Sequence, residues 1–467
     1  MPAGGGIHRG RPSRRGAVSS PKLITTIPGP RSLAEMKRIH DTLYVGNDYA
    51  STGIVIAGKD GYFIEDVDGN RFIDLASGWG SSPFGAPHPE VLAATEEALR
   101  RYGNEDVHHL TNELVTPLAQ QLVDISPDSL TRVDIGLSGT EAVEIALRLM
   151  RRATGRPLIL GFHGQYHGET AATASLGAEL AGISKGLREI TPGFVHVPYP
   201  NSYRNPFGPP RQGGSGDATI DYVRDFLLFH SIHPGDVAGV VIEPVVGEGG
   251  VLIPPDTFWP ALVELCVEFD WLLCADEVES GMGRTGTMFA VENWDVQPDV
   301  MCLGKSVSGG VMPMAATLGS ERVMGSFDDT ETGSTWSWLP AATAGALKAL
   351  EIYQRDRVLD NVRRLEDVAR ETLVPLVEEF DVVGDVRIIG TYIAIEFVKD
   401  KKTKERFIDF KEQVELATMR RGLIAIHHNA SFRVLPPLTM PADLFRTGME
   451  IIHDAIAEVG ESDHIFD

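Results

Sequence analysis

"LCADEVESGMGRTG" (273–286) and "MCLGKSVSGG" (301–310) each carry an apolar run that stops at charge: Asp276 and Glu277 in the first, Lys305 in the second. Carboxylates and a lysine at the ends of buried strands are costly unless something pairs with them. The identity of that partner decides how the chain is read. Around these two runs, from about residue 130 to 320, short apolar segments alternate with helical stretches. They are "RVDIGLS", "PLILGF", "GVVIEPV", "WLLCADEV", "PDVMCLG" and "AATLGS". Continuous apolar runs bounded by turn signals suit strands buried on both faces, and their alternation with helices predicts βαβ units in a mostly parallel sheet. Ligands of such α/β sheets sit beyond the carboxyl ends of the strands, which is where the charged residues fall.

Outside this block the patterns differ. "GYFIEDVDGNRFIDL" (61–75) reads as a β-hairpin, and helical periodicity runs from about Glu90 to Arg101. After residue 340 come a helix through "AATAGALKALEIYQRD", helices near 360–380 and 406–421, and strands "GTYIAIEFV" and "LIAIHH". The expected organisation is a tail over 1–22, a segment over 23–79 that joins a small domain, a large domain over 80–345, and a small α+β domain over 346–467. The Arg- and Ser-rich first twenty residues lack the apolar stretch of a secretory signal and read as a tail.

The 467 residues are 43% hydrophobic and 23% charged, enough for two or three domains at roughly 150 residues each. A net charge of −23 argues against nucleic acid as a partner, because phosphate binding needs clustered Lys and Arg. It fits a cytoplasmic protein. No apolar run reaches the ~18 residues of a bilayer span. Three cysteines, Cys266, Cys274 and Cys302, without CxxC spacing predict neither a disulfide framework nor a zinc site.

Several motifs fail on inspection. Asp66, Asp68 and Asn70 mimic a calcium loop, but Arg71 stands where glycine is required and Ser77 where the last glutamate is required. "LGKS" mimics a phosphate loop, but Asp299 replaces its first glycine. His163 and His167 are four apart, yet Gly164 denies the HExxH metal motif. What survives is organic chemistry. Lys305 can form a Schiff base with a carbonyl. Asp276 can pair with a protonated ring nitrogen, or else with Arg284. Ser138 or Thr140 caps a helix whose free N–H groups at Gly139 and Thr140 suit a phosphate. Tyr166 can lie on a planar ligand. Glu243 ends one strand, and Arg433 in "SFRVLPPL" needs a carboxylate from protein or substrate.

In register, "SGTEA", "YHG", "IEPVVGEGG", "DEVESGMGRTG", "LGKS", "GST" and "FRVLPPL" resemble the class III aminotransferases, fold type I enzymes that use pyridoxal 5′-phosphate. The resemblance spans roughly residues 35–455. It implies that Lys305 holds the cofactor as a Schiff base and moves the substrate proton, and that Asp276 pairs with the pyridinium nitrogen. Val278 and Tyr166 would sandwich the ring, with His167 also at the cofactor. Ser138, Gly139 and Thr140 would cradle the phosphate, completed by Thr335 of a second subunit in a homodimer or dimer of dimers. Arg433 would grip the substrate carboxylate, with Glu243 pairing to it when that carboxylate is missing, and Trp79 would sit at the substrate mouth. Many members have Gln where this chain has Glu279, beside the cofactor's phenolic oxygen; a carboxylate there changes the tuning of that oxygen. The implied function is transfer of an amino group from an amino acid or amine to a 2-oxo acid. The alternatives are an amino-acid racemase, epimerase or aminomutase on the same fold, or a binding protein that has lost catalysis.

Overall fold

The structure, a computed structural model, describes residues 20–43, 51–104, 109–177, 182–210, 212–327, 334–426 and 431–462. Its centre is a seven-stranded sheet. In spatial order the strands are Arg132–Gly136, Ala315–Gly319, Val300–Leu303, Leu272–Asp276, Val237–Ile242, Leu158–His163 and Phe194–Pro198. Ala315–Gly319 runs antiparallel to both of its neighbours, and the other pairings are parallel. The sheet is thus the mostly parallel α/β sheet that the six apolar runs predict. The seventh strand, Phe194–Pro198, was not foreseen. It is a half-buried edge strand with His196 in its middle, so it lacks the apolar run that marks the interior strands.

The interior strands are apolar because helices cover both faces. Val237–Ile242, Leu272–Asp276 and Val300–Leu303 are buried at every position. The helix Gly139–Thr154 lays Ala142, Ile145, Ala146 and Leu149 against the sheet, the stripe its 3.6-residue period requires. On the other face, Pro89–Tyr102 and Pro340–Arg355 pack on one another over the same core. The expected boundary at 345/346 falls inside this helix, whose buried residues from Ala341 to Tyr353 share a core with strands of the central sheet.

A second core gathers Phe397, Phe410, Phe432 and Phe445. Here Val383–Ile389, Tyr392–Asp400 and Ser431–Val434 form an antiparallel sheet under the helices Val358–Leu373, Ile408–Arg420 and Ala442–Gly460. The hairpin of residues 61–75 forms as Phe63–Asp66 and Arg71–Asp74, and Leu423–Ile424 joins it in parallel. The would-be calcium loop is a turn with structural duties. Asp68 accepts from Arg31 N, Ser32 N and Ser32 Oγ at the start of the helix Pro30–Thr42, and Asn70 Oδ1 accepts from Ile24 N and Thr25 N. The expected tail lies largely outside the described residues, as do the last residues of "LIAIHH".

The two cores meet at the "GMGRTG" turn. Arg284, fully buried, donates to Pro436 O at 2.6 Å and Thr391 Oγ1 at 3.2 Å, and Thr391 N donates back to Arg284 O at 2.9 Å. Gly390 makes this approach possible. Its φ is +57°, and a Cβ there would lie 2.4 Å from Thr285 C and 2.5 Å from Arg284 O, both backbone atoms that cannot swing aside. Gly390→Ala is expected to destabilise the protein by roughly 3 kcal/mol, read as a lower urea midpoint; an unchanged midpoint would show that this contact carries no stability.

Candidate active site

Register brings the two opening motifs together. In the parallel pair of strands Asp276 lies opposite Cys302, and the Glu277 N–H donates to Cys302 O at 2.9 Å. Three residues on, Lys305 opens a 3₁₀ turn with φ +44°, the left-handed region that is strained for a side chain with a Cβ. That strain is held by packing: Ser306 Oγ donates to Gly80 O at 2.6 Å, tying the turn to "SGWGSS". Trp79 and Ser77 in that segment also have positive φ, at +58° and +41°.

Between the strand ends is a cavity of ~180 Å³. One wall is the start of the helix Gly139–Thr154, where Ser138 caps the first turn by accepting from Glu141 N at 3.2 Å. Gly139, Gly304 and Val278 pack so closely that a Cβ on Gly139 would sit 2.7 Å from Val278 Cγ1. Gly168 lies against Thr140 in the same way, with a notional Cβ 2.3 Å from its Oγ1. Gly139 and Thr140, at the N-terminus of this helix, line the cavity. Val278 and the part-exposed Tyr166 supply flat apolar surface.

Asp276 is buried at the cavity edge. Its Oδ2 lies 2.7 Å from His167 Nδ1, its Oδ1 accepts from Val278 N at 3.1 Å, and Gln165 Oε1 stands 3.1 Å from His167 Nε2. The alternative partner, Arg284, is engaged elsewhere. Neighbouring Glu277 faces away from the cavity and accepts from Val291 N and Ser280 Oγ. His163 does not join His167; its ring stacks on His196. Among the described residues no cluster of His, Cys, Asp and Glu could hold a metal ion, and all three cysteines are buried free thiols.

From Lys305 and Glu279 in the cavity wall a chain of charges leads on to Arg433 and Glu248. Lys305 Nζ donates to Glu279 Oε2 at 2.5 Å, Glu279 Oε1 lies 3.4 Å from Arg433 Nη1, and Arg433 Nη2 donates to Glu248 Oε1 at 2.7 Å. The Arg433 guanidinium also stands 5.2 Å from the centre of the Trp79 ring. Burial pushes the Glu279 carboxyl up, but the Lys305 and Arg433 charges outweigh it and hold it below the usual range. Burial likewise works against charge on Arg433, and Glu248 and Glu279 reverse that effect.

This geometry corrects one expectation. Glu243 does not pair with Arg433. Its Oε1 accepts from Tyr166 N at 2.8 Å and its Oε2 from Gly247 N at 2.9 Å, so the carboxyl is spent on the loops that line the cavity. Burial, followed by the nearby Asp276 charge, raises the Glu243 carboxyl well above its ordinary range. Glu248, in the same "GEGG" stretch, holds the arginine instead. Tyr392 was also missed; its buried hydroxyl faces Glu279, and burial with that charge raises it. The signal for Glu248 was a second glutamate five positions on, among glycines that let the chain turn back. Thr335 is exposed and does not line the cavity.

The aminotransferase class-III family matches residues 44–456. An alanine/serine racemase of Pyrococcus horikoshii is 31% identical over 447 residues, 94% of this chain and 93% of that one. A 4-aminobutyrate aminotransferase of Mycobacterium leprae is also 31% identical, over 93% of this chain and 97% of that one. Among solved structures, an amine transaminase from an uncultivated Pseudomonas species, in its PLP-bound form, superposes with a TM-score of 0.83 at 28% identity, covering 90% of this chain and 98% of that one.

Glu277 makes the site's scaffold pH-sensitive. Burial raises its carboxyl from an ordinary 4.5 to about 7. Between those values the folded state binds a proton that the unfolded state has released, so this group's contribution to stability is lost as pH rises from about 4.5 to about 7. Glu277→Gln is expected to flatten that decline, by on the order of 3 kcal/mol at most. Chemical unfolding at a series of pH values checks it, and parallel profiles for the two proteins would contradict it.

Proposed function

The chain belongs to the class III aminotransferases, a pyridoxal 5′-phosphate-dependent family, and from that premise we propose how its own residues divide the work. The observation that carries the reading is the joint placement of a strained Lys305 and a buried Asp276 around a cavity lined by Gly139 and Thr140 at a helix N-terminus. The donor set fits the cofactor: an amine for its aldehyde, a carboxylate for its ring nitrogen, free N–H groups for its phosphate, and flat walls for its ring. When bound, the cofactor supplies an electron sink for the carbanion formed at the reacting carbon.

Lys305 would hold the cofactor and, when free, would carry the proton taken from the substrate carbon. Asp276, oriented by His167, holds a proton on the ring nitrogen and keeps the sink electron-poor. Gly139 and Thr140 offer backbone N–H groups to the phosphate, on a helix capped by Ser138. Val278 and Tyr166 would hold the ring, while Glu243 accepts from the backbone of Tyr166 and Gly247 and fixes their loops. Arg433 takes the carboxylate of a 2-oxo acid acceptor and turns to Glu248 when the amino donor has none on its reacting carbon. That role passes to Glu248 from Glu243. Trp79 borders the same pocket. Thr335, exposed in one chain, would serve the phosphate of a second copy, which makes the working form a homodimer or a dimer of dimers. The acidic charge and the three buried thiols favour the cytoplasm. In the described residues no helix is long and apolar enough to cross a membrane.

A half-reaction tests this reading. The cofactor-loaded protein is mixed with single amino compounds, without any oxo acid, and its spectrum followed. The expected result is loss of the yellow band as the pyridoxamine form accumulates. Similarity to a racemase gives the second reading a concrete form: a band that persists while solvent deuterium enters the substrate carbon and optical activity decays would establish racemisation instead. Lys305→Ala is expected to lower the half-reaction rate by about 10²-fold or more. Gly139→Ala, which drives a methyl into Val278, is expected to weaken cofactor binding on the order of tenfold, measured by equilibrium dialysis; unchanged affinity would remove this helix start from the cofactor site.

A further inference from the structure

Among the described residues, Glu279 is the carboxylate that pairs with both Lys305 and Arg433. It lies 2.5 Å from Lys305 Nζ through Oε2 and 3.4 Å from Arg433 Nη1 through Oε1. The first is a short charge-assisted bond; the second is at the outer limit of hydrogen bonding. With Lys305 a free ammonium, Glu279 therefore leans on the lysine, and Arg433 answers mainly to Glu248 at 2.7 Å. Both carboxylates and the arginine are buried, so none of these charges can be handed to water at small cost. Arg433 Nε, also buried, has no hydrogen-bond partner among the described residues, which leaves the guanidinium short of acceptors in this state.

Lys305 does not keep its ammonium throughout a reaction. If Lys305 bonded the cofactor's aldehyde (C=N formed, C=O broken, one water released), its nitrogen would no longer be a free ammonium facing Glu279. Glu279 would then lose its nearer partner, and Arg433 is the other cation in an ion pair with it among the described residues.

We infer that Glu279 is a charge relay that couples the bonding state of Lys305 to the affinity of Arg433 for a substrate carboxylate. With Lys305 engaged, two carboxylates claim Arg433, and an incoming carboxylate must displace both. With Lys305 free, Glu279 returns to it and Arg433 is released from one competitor. The pocket thus disfavours a carboxylate beside the reacting carbon when it waits for an amine, and favours one when it waits for an oxo acid. Coupling of this kind is reciprocal: a carboxylate on Arg433 pushes Glu279 back toward Lys305. The relay rests on the aminotransferase reading for its purpose, while its electrostatics stand on the side chains alone. Because Glu279 acts through Arg433, it is a positioning residue, and its loss should strengthen carboxylate binding where simple damage to the fold would weaken it.

The test is calorimetric titration with propanoate, a carboxylate that can neither donate nor accept an amino group. Wild-type protein loaded with pyridoxamine phosphate, where Lys305 is free, is expected to bind propanoate on the order of tenfold more tightly than protein loaded with pyridoxal phosphate. In Glu279→Gln the two forms should bind alike, the pyridoxal form having gained. A second set uses the full chain stripped of cofactor: Lys305→Met should weaken propanoate binding, and Lys305→Met combined with Glu279→Gln should not. An undiminished ratio between the two forms in Glu279→Gln, equal weakening of both, or no propanoate binding in any form overturns the relay. Failure of the aminotransferase reading shows separately, as a protein that no amine converts to the pyridoxamine form, and the stripped-chain titrations can still be read in that case.

Discussion

Charge placed at the ends of buried strands must be balanced inside the protein, and this constraint organises the site. Asp276 ends one interior strand and Lys305 follows the next, so the register of two parallel strands brings opposite charges to one cavity. Neither is left to solvent. Asp276 is held by His167 and the Val278 N–H, while Lys305 is held by Glu279. Glu279 in turn meets Arg433, whose strand belongs to the second core, and Arg433 meets Glu248, on a glycine turn after another strand of the central sheet. The two cores are therefore joined by electrostatics as well as by the packing of Arg284 and Gly390. A cavity walled in this way would suit a ligand whose own groups fall into register with it, as proposed above: an aldehyde, a ring nitrogen, a phosphate and a carboxylate.

Much of this was legible in the chain because it follows from local rules. Fully buried strands must be apolar along their length, so the four interior strands buried throughout announce themselves, and Arg132–Gly136 and Leu158–His163 keep enough of an apolar run to be read as well. The helix after Ser138 shows both its cap and its apolar stripe. Asp276 and Lys305 stand out because each breaks an apolar pattern at its end. The motifs that failed did so on one or two positions, Asp299, Gly164, and Arg71 with Ser77, where the mimicked chemistry tolerates no substitute. The family resemblance then supplied roles that no local rule could, such as the pairing of Asp276 with a ring nitrogen.

What was not legible depends on distance. Phe194–Pro198 is an edge strand, half-exposed, and an edge strand has no need of an apolar run. The packing of Pro340–Arg355 on Pro89–Tyr102 is a contact between helices far apart in sequence, invisible to periodicity. The choice between Glu243 and Glu248 as the partner of Arg433 turns on a glycine-rich reversal that points one carboxylate at backbone N–H groups and the other at a guanidinium; spacing alone does not separate them. The meaning of Glu279 also needed the fold, since only the fold shows that its two oxygens face two different cations.

The central claim is that Lys305 is the nucleophile of a cofactor site built on that charge balance. The most direct measurement is borohydride reduction of the protein loaded with pyridoxal 5′-phosphate, followed by peptide mass mapping. The account predicts one phosphopyridoxyl group per chain, on the peptide that carries Lys305. A label on another lysine, or spread over several, would contradict it.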